Sequence, residues 1–132
     1  MHRFAPALAI SATALVMLTA CSGSPSPSAP SASAIVSAFE DAGITITDPR
    51  DNTDKGWCEA DQFDCDQYFT TEEVTVIIGP SAEAVARLTA GDMSSAYYVA
   101  EDGSVALSFL AQGTPEEARA PIVEALEAYL AQ

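Results

Sequence analysis

Histidine and basic residues are scarce in this chain of 132 residues. The one histidine is His2, and five Lys and Arg stand against nineteen Asp and Glu, which gives a formal net charge of −14. Without histidine after residue 2, the remaining chain cannot form the usual Ser-His-Asp or Cys-His catalytic groups or a His-ligated zinc or iron site. The acidic balance repels nucleic-acid phosphates and anionic lipid head groups, so we expect no nucleic-acid partner and no membrane contact through a basic face.

The amino terminus has the layout of an export signal. Arg3 gives a short basic start, residues 4–18 are mainly apolar, small residues follow, and Cys21 ends the pattern. The segment Leu18-Thr19-Ala20-Cys21 resembles the lipobox of bacterial lipoproteins. This resemblance implies removal of residues 1–20, attachment of a diacylglycerol to the Cys21 thiol, and acylation of the new amino terminus, for example with palmitate. The alternative is an ordinary signal peptide, with Cys21 lost or left free.

Lipidation would anchor the chain at the outer face of the cytoplasmic membrane, because two or more acyl chains hold a protein stably where one would not. Residues 21–33 would then be the lipidated cysteine and a tether of Ser, Gly, Pro and Ala, which cannot bury a core. Residues 34–132 are enough for one folded domain. Removal of the signal would also remove His2 and leave no histidine in the mature chain.

The two remaining cysteines, Cys58 and Cys65, form an even pair in an oxidising compartment. Their C-x6-C spacing differs from the C-x-x-C of redox pairs, so we predict a structural disulfide, with two reactive thiols as the alternative. Trp57 and Phe63 flank the cysteines. Aromatic side chains in this position usually pack over the disulfide. If they are exposed instead, they form an aromatic patch with acidic neighbours, which suits protein binding.

Apolar spacing along residues 34–132 alternates between helical and strand patterns. Asp102-Gly103 indicates a type I′ hairpin turn, and Thr114-Pro115-Glu116-Glu117 indicates a capping box at the start of the last helix. Pro121 indicates a kink in that helix or a separate first turn. The first predicted elements are a helix over 34–42, a strand over 44–47 and a loop over 50–67. Strands over 68–70 and 73–78 and a helix between Gly79-Pro80 and Gly91 follow. A hairpin of 96–100 and 104–110 and a helix from 114 complete the domain.

Hairpins dominate this order of elements, so the predicted fold class is α+β. We expect a small, mainly antiparallel sheet with about three helices packed on one face, in the order α-β-loop-β-β-α-β-β-α. Ile77 lies on the strand face opposite to Val74, Val76 and Ile78, so the second face is not expected to be fully solvated.

Several short motifs together resemble a group of small lipoproteins of high-GC Gram-positive, actinobacterial bacteria. The resemblance covers about residues 35–130, and it implies origin and fold only, because the group has no assigned activity. The alanine-rich, lysine-poor composition is consistent with such a genome. The motifs are Asp51-Asn52-Thr53, the Cys58 and Cys65 pair, Thr70-Thr71-Glu72-Glu73-Val74 and Thr114-Pro115-Glu116.

Acidic side chains crowd the loop that carries both cysteines. Carboxylate oxygens suit calcium, but the spacing does not match an EF-hand, and a solvated acidic loop is the alternative. The preceding Asp51-Asn52-Thr53 is typical of a turn, with a ligand contact from the same loop as the alternative. We assign no metal site and no cofactor. The candidate ligand residues are Asp51, Asn52, Thr53, Glu59, Asp61, Asp64 and Asp66.

No catalytic residues are assigned, because the adjacent carboxylates Glu72-Glu73 and Glu116-Glu117 have structural explanations. Strand neighbours point to opposite faces, and acidic residues favour a helix start. The sequence therefore predicts a membrane-anchored, non-enzymatic binding or interaction module, and a basic protein or peptide would suit its charge. The alternative is a small-ligand or calcium-binding lipoprotein that uses the acidic disulfide loop.

Overall fold

Helix α1, Ala32–Asp41, is the first element of the computed structural model, which describes residues 29–132. The predicted signal, Cys21 and the tether to residue 28 lie outside the described residues. The Ser31 hydroxyl accepts a hydrogen bond from the Ala34 N–H at 3.1 Å, a cap worth about 1 kcal/mol. Because of this cap, the helix begins two residues before the predicted position, and Ala32 is already buried.

Five strands form one antiparallel sheet in the order β1-β2-β3-β5-β4. This sheet and three helices confirm the predicted α+β class, and the order of elements roughly matches the prediction. The strands are β1 (Arg50–Asp51), β2 (Gln67–Thr70), β3 (Thr75–Ile78), β4 (Tyr97–Val99) and β5 (Val105–Ser108).

The strand predicted over residues 44–47 is wrong. The Ile44 N–H donates to the Phe39 carbonyl at 3.0 Å, and the Thr47 carbonyl accepts from the Glu72 N–H at 2.9 Å. These backbone groups are therefore used by a helix end and a turn, not by a ladder. The sheet instead gains β1, which lies inside the segment predicted as a loop. Ile44 and Ile46 instead pack against the core from an irregular segment. This packing accounts for the alternation of apolar and polar residues that indicated a strand.

The helices cover both faces of the sheet, so the prediction that all of them lie on one face is wrong. Val76 of β3 belongs to the core that also contains Phe39 of α1 and Leu126 of α3 (Glu116–Leu130). Ile77, which points to the opposite face, packs with Val85 of α2 (Ala82–Thr89). The physical reason is that every residue of β3 and β5 is buried, so the second face also needs a cover.

The hairpin of β4 and β5 has the predicted register, in which Tyr98 faces Leu107. Its turn is not type I′, because that turn needs two central residues with positive φ and only Gly103 has one, at +76°. The Gly103 N–H donates to the Ala100 carbonyl at 2.8 Å. A side chain at Gly103 would place its Cβ 2.7 Å from the Cβ of Ala82, so the turn also lies close against α2.

The capping box predicted for α3 does not form. Pro115 is the N-cap residue, and the Thr114 hydroxyl donates to the Glu73 carbonyl at 2.7 Å, which ties the start of α3 to the turn before β3. Pro121 lies inside one continuous helix, so a separate first turn is absent from α3. Between residues 29 and 132, each helix is too short or too polar to cross a bilayer.

Candidate functional site

The predicted disulfide between Cys58 and Cys65 is confirmed, with a Cα–Cα distance of 4.4 Å. Hydrogen bonds within the loop reinforce it, because the Phe63 N–H donates to the Trp57 carbonyl at 3.0 Å and the Asp64 N–H donates to the Glu59 carbonyl at 3.1 Å. Cys65 is buried against Ile77 and Val85. The disulfide therefore fixes a compact loop onto the α2 face of the sheet.

Three aromatic side chains, Trp57, Phe63 and Tyr68, form what we call the aromatic cluster. The ring centroids lie 5.7 Å apart for Trp57 and Phe63, 5.9 Å for Trp57 and Tyr68, and 5.3 Å for Phe63 and Tyr68, with near-parallel planes. Phe63 and Tyr68 pack against the buried residues below the loop, but Trp57 remains 45% exposed. Thus the aromatic residues do pack beside the disulfide, and one of them also presents a large apolar surface to solvent.

Burial raises the pKa of the Tyr68 hydroxyl, and the nearby Tyr97 raises it further.

Beside the cluster, the Asp64 carboxylate pairs with the Arg87 guanidinium at 3.0 Å. Asp64 itself adopts a left-handed backbone conformation, with φ +45°, which allows the chain to turn just before Cys65. The loop is therefore shaped by backbone geometry and held to α2 by an exposed ion pair.

The acidic side chains of the loop do not converge on a common point. Glu59, Asp61 and Asp66 are exposed, and the Asp66 N–H donates to the Ile78 carbonyl at 2.7 Å, which extends the pairing of β2 and β3. Within residues 29–132, no three His, Cys, Asp or Glu side chains lie close enough together to hold a metal ion. The geometry of this loop therefore does not favour a calcium site.

The side chains of Asp51, Asn52 and Thr53 bond within the fold. The Asp51 carboxylate accepts from the Thr53 N–H at 3.0 Å, and hydrogen bonds from the Thr53 side chain and backbone lower the pKa of Asp51. Asn52 Nδ2 donates to the Thr70 hydroxyl at 2.7 Å, and the Thr53 hydroxyl accepts from the Tyr68 N–H at 3.1 Å. This segment thus joins the short edge strand β1 to β2, and one of its bonds reaches the backbone of Tyr68, a member of the aromatic cluster.

Sequence reasoning missed a groove of about 460 Å³ between α3 and the edge strand β4. Arg119 projects into this groove from α3, with its guanidinium carbon 5.1 Å from the centre of the Phe109 ring. Tyr98 lines the strand side of the groove. The adjacent Tyr97 also lines it, although its side chain packs with the residues of the α2 face. One sequence signal was available: Arg119 is a cation near the start of a helix, where the helix dipole favours acidic residues instead.

Tyr98 links the strand side of this groove to α3. Its hydroxyl donates to the Glu127 carboxylate at 2.5 Å. This hydrogen bond, together with burial and the negative charges of Glu127 and Glu101, raises the pKa of Tyr98 to about 12. The Tyr98 ring is therefore held in place as part of the groove wall.

Comparison with known proteins identifies no relative: no family model, no curated protein and no solved structure matches this chain. The similarity to small actinobacterial lipoproteins therefore stays a prediction from short sequence motifs.

Proposed function

We propose that this protein is a membrane-anchored extracytoplasmic lipoprotein whose folded domain is a non-enzymatic binding module, with the aromatic cluster as its contact surface. The observation that carries the proposal is the 45% exposure of Trp57, although its ring stacks with both Phe63 and Tyr68. Tryptophan and tyrosine are enriched among the residues that dominate binding energy at protein interfaces. An exposed tryptophan on a structured base is therefore a suitable anchor for a partner.

The base beneath Trp57 is rigid, which favours binding. The disulfide closes the loop, and stacking against Phe63 and Tyr68 limits the ring positions that Trp57 can adopt. A contact residue that is already ordered loses little conformational entropy when a partner binds. The cluster is therefore better suited to binding than an exposed hydrophobic residue outside it, such as Met93, which is 58% exposed.

The charge of the loop supports a basic partner. Exposed carboxylates at Glu59, Asp61 and Asp66 surround the cysteines in sequence, and Arg87 neutralises only Asp64. Exposed carboxylates near an aromatic residue in the sequence attract Lys and Arg side chains and repel acidic partners. We therefore propose a basic protein or peptide as the partner.

Trp57 is the single tryptophan of the chain, so its fluorescence reports directly on the proposed surface. We expect a Lys- and Arg-rich peptide to change Trp57 emission and to reduce its quenching by acrylamide, whereas an acidic peptide of equal length has no effect. By calorimetry, Trp57→Ala should abolish the binding heat and Met93→Ala should leave it unchanged. Equal binding of the basic peptide to both variants would contradict the proposal.

The anchor requires a separate test, because it rests on the sequence before residue 29. The full chain with Cys21→Ser should appear in the medium when it is expressed in a Gram-positive host, since the diacylglycerol attachment point is lost. The unaltered chain should fractionate with membranes. Membrane retention of the Cys21→Ser variant would show that the lipid is not the anchor.

A further inference from the structure

We propose that the groove between α3 and β4, here called the Arg119 groove, binds a small organic monocarboxylate that carries an aromatic or similar apolar group. Arg119 would bind the carboxylate, and the apolar walls would bind the rest of the ligand. This site is distinct from the aromatic cluster and does not depend on the function proposed for it.

The Arg119 guanidinium is already positioned by the fold. Its Nε donates to the Thr114 carbonyl at 2.7 Å, and its Nη1 donates to the Ser95 carbonyl at 3.1 Å. The Phe109 ring lies beside it at 5.1 Å. A guanidinium has five N–H donors, so Nη2 and one hydrogen of Nη1 have no acceptor within the described part of the chain. The fork geometry of the remaining donors matches a carboxylate.

Arg119 differs in its charge environment from the other two arginines of the folded domain. Arg50 pairs with Asp48, and Arg87 pairs with Asp64, so carboxylates of the chain balance both of these charges. Arg119 instead bonds to neutral carbonyls, and no carboxylate of residues 29–132 lies within ion-pairing distance of it. On a chain with a formal net charge of −14, this is a fixed cation that an anionic ligand can reach.

The walls of the Arg119 groove determine the rest of the ligand. Tyr98 and Val123 supply apolar surface, and the buried Phe109 ring lies beside Arg119. The volume of about 460 Å³ lies within the range of small-molecule sites. Glu116 lines the same groove, so its negative charge disfavours a ligand with two or more carboxylates. A single carboxylate joined to one ring satisfies both conditions.

Phenylacetate is a suitable probe, and 2-phenylethanol is its neutral analogue. In amide NMR spectra of the whole domain, phenylacetate at millimolar concentration should shift the signals of Ser95, Tyr98 and Val123. Phenylethanol should bind about tenfold more weakly or worse, because it cannot form the charge-assisted hydrogen bonds. Equal binding of both probes, or no shifts with phenylacetate, would overturn the proposal, as would shifts confined to the aromatic cluster.

Two variants separate a ligand-binding role from a purely structural one. Arg119→Gln should weaken phenylacetate binding about tenfold or more, whereas Arg87→Gln, which removes an ion-paired arginine elsewhere, should leave it unchanged. Arg119→Lys keeps the charge but not the fork, so it should bind phenylacetate with intermediate affinity. If Arg119→Gln does not fold, Arg119→Lys and the neutral analogue still decide the matter: unchanged affinity in Arg119→Lys together with equal binding of phenylethanol would overturn the proposal.

Discussion

The two faces of the sheet are covered by different means. On one face, α1 and α3 bury a cluster of fourteen residues that includes Phe39, Leu107 and Leu126. On the other face, the buried cluster has only four residues, and α2 shares the cover with the disulfide loop and the aromatic cluster. The comparison shows that helix packing is sufficient where apolar residues are plentiful. The face with fewer apolar residues is held by a covalent link and carries the exposed Trp57.

The largest expected effect is on the α1 and α3 face. Phe39→Ala should lower the free energy of unfolding by about 3–5 kcal/mol, because Phe39 is fully buried and its removal leaves a cavity. Urea unfolding measures this loss. Val76→Ala and Val85→Ala remove the same two methyl groups from the two clusters on opposite faces. The loss of unfolding free energy should be larger for Val76→Ala. Equal losses for the two valines would contradict the difference between the faces.

The second-largest expected effect is on the sheet face that α2 and the disulfide loop cover. The double variant Cys58→Ser/Cys65→Ser should lose roughly 2–3 kcal/mol of unfolding free energy. Without the disulfide, the unfolded chain regains the conformational entropy that closure of the short loop had removed. In the folded state, acrylamide quenching of Trp57 should increase, since the loop beneath the ring is no longer closed. Unchanged stability and unchanged quenching in this variant would show that packing alone is enough on the α2 face.

The hydrogen bond between Tyr98 and Glu127 makes stability depend on alkaline pH. The hydrogen bond requires the protonated, neutral Tyr98 hydroxyl. In the folded state the pKa of Tyr98 is therefore about 12, against an ordinary value of 10.0. The stabilisation is therefore complete below pH 10 and is lost as the pH rises from 10 to about 12. In Tyr98→Phe, the unfolding free energy should fall less over this interval, whereas Tyr129→Phe should behave as the unaltered protein does. If the unfolding free energy of Tyr98→Phe falls as steeply with pH as that of the unaltered protein, this hydrogen bond between β4 and α3 does not contribute to the pH dependence.

The smallest effect concerns the ion pair that joins the disulfide loop to α2. The Arg87 and Asp64 side chains are 66% and 40% exposed, so the pair should contribute less than about 1 kcal/mol. A double-mutant cycle with Arg87→Gln and Asp64→Asn measures this interaction energy, and asparagine tolerates the left-handed backbone at residue 64. A coupling above this limit would mean that the α2 face is held by charge as well as by the disulfide.

Much of the fold could be predicted from local patterns. The helical spacing of α1, the alternation in β3 and the register of the hairpin are properties of neighbouring residues, and the structure contains all three. The errors have a common cause. In each case a hydrogen-bonding group is taken by a partner outside the predicted element. The Ile44 N–H bonds to Phe39 of the preceding helix, and the Thr47 carbonyl accepts from the Glu72 N–H. The Thr114 hydroxyl donates to the Glu73 carbonyl.

The candidate sites divide in the same way. The pairing of Cys58 with Cys65 follows from a count of cysteines and a short spacing, so the sequence alone was enough to predict it. The exposure of Trp57 depends on how Phe63 and Tyr68 stack with it, and the Arg119 groove requires Arg119 to meet Ser95, which lies 24 residues earlier. Residue spacing therefore specified the elements and the disulfide, because both are local. Long-range packing decided which sheet face each helix covers and which side chains stay open to a partner, because it brings together residues that no local pattern connects.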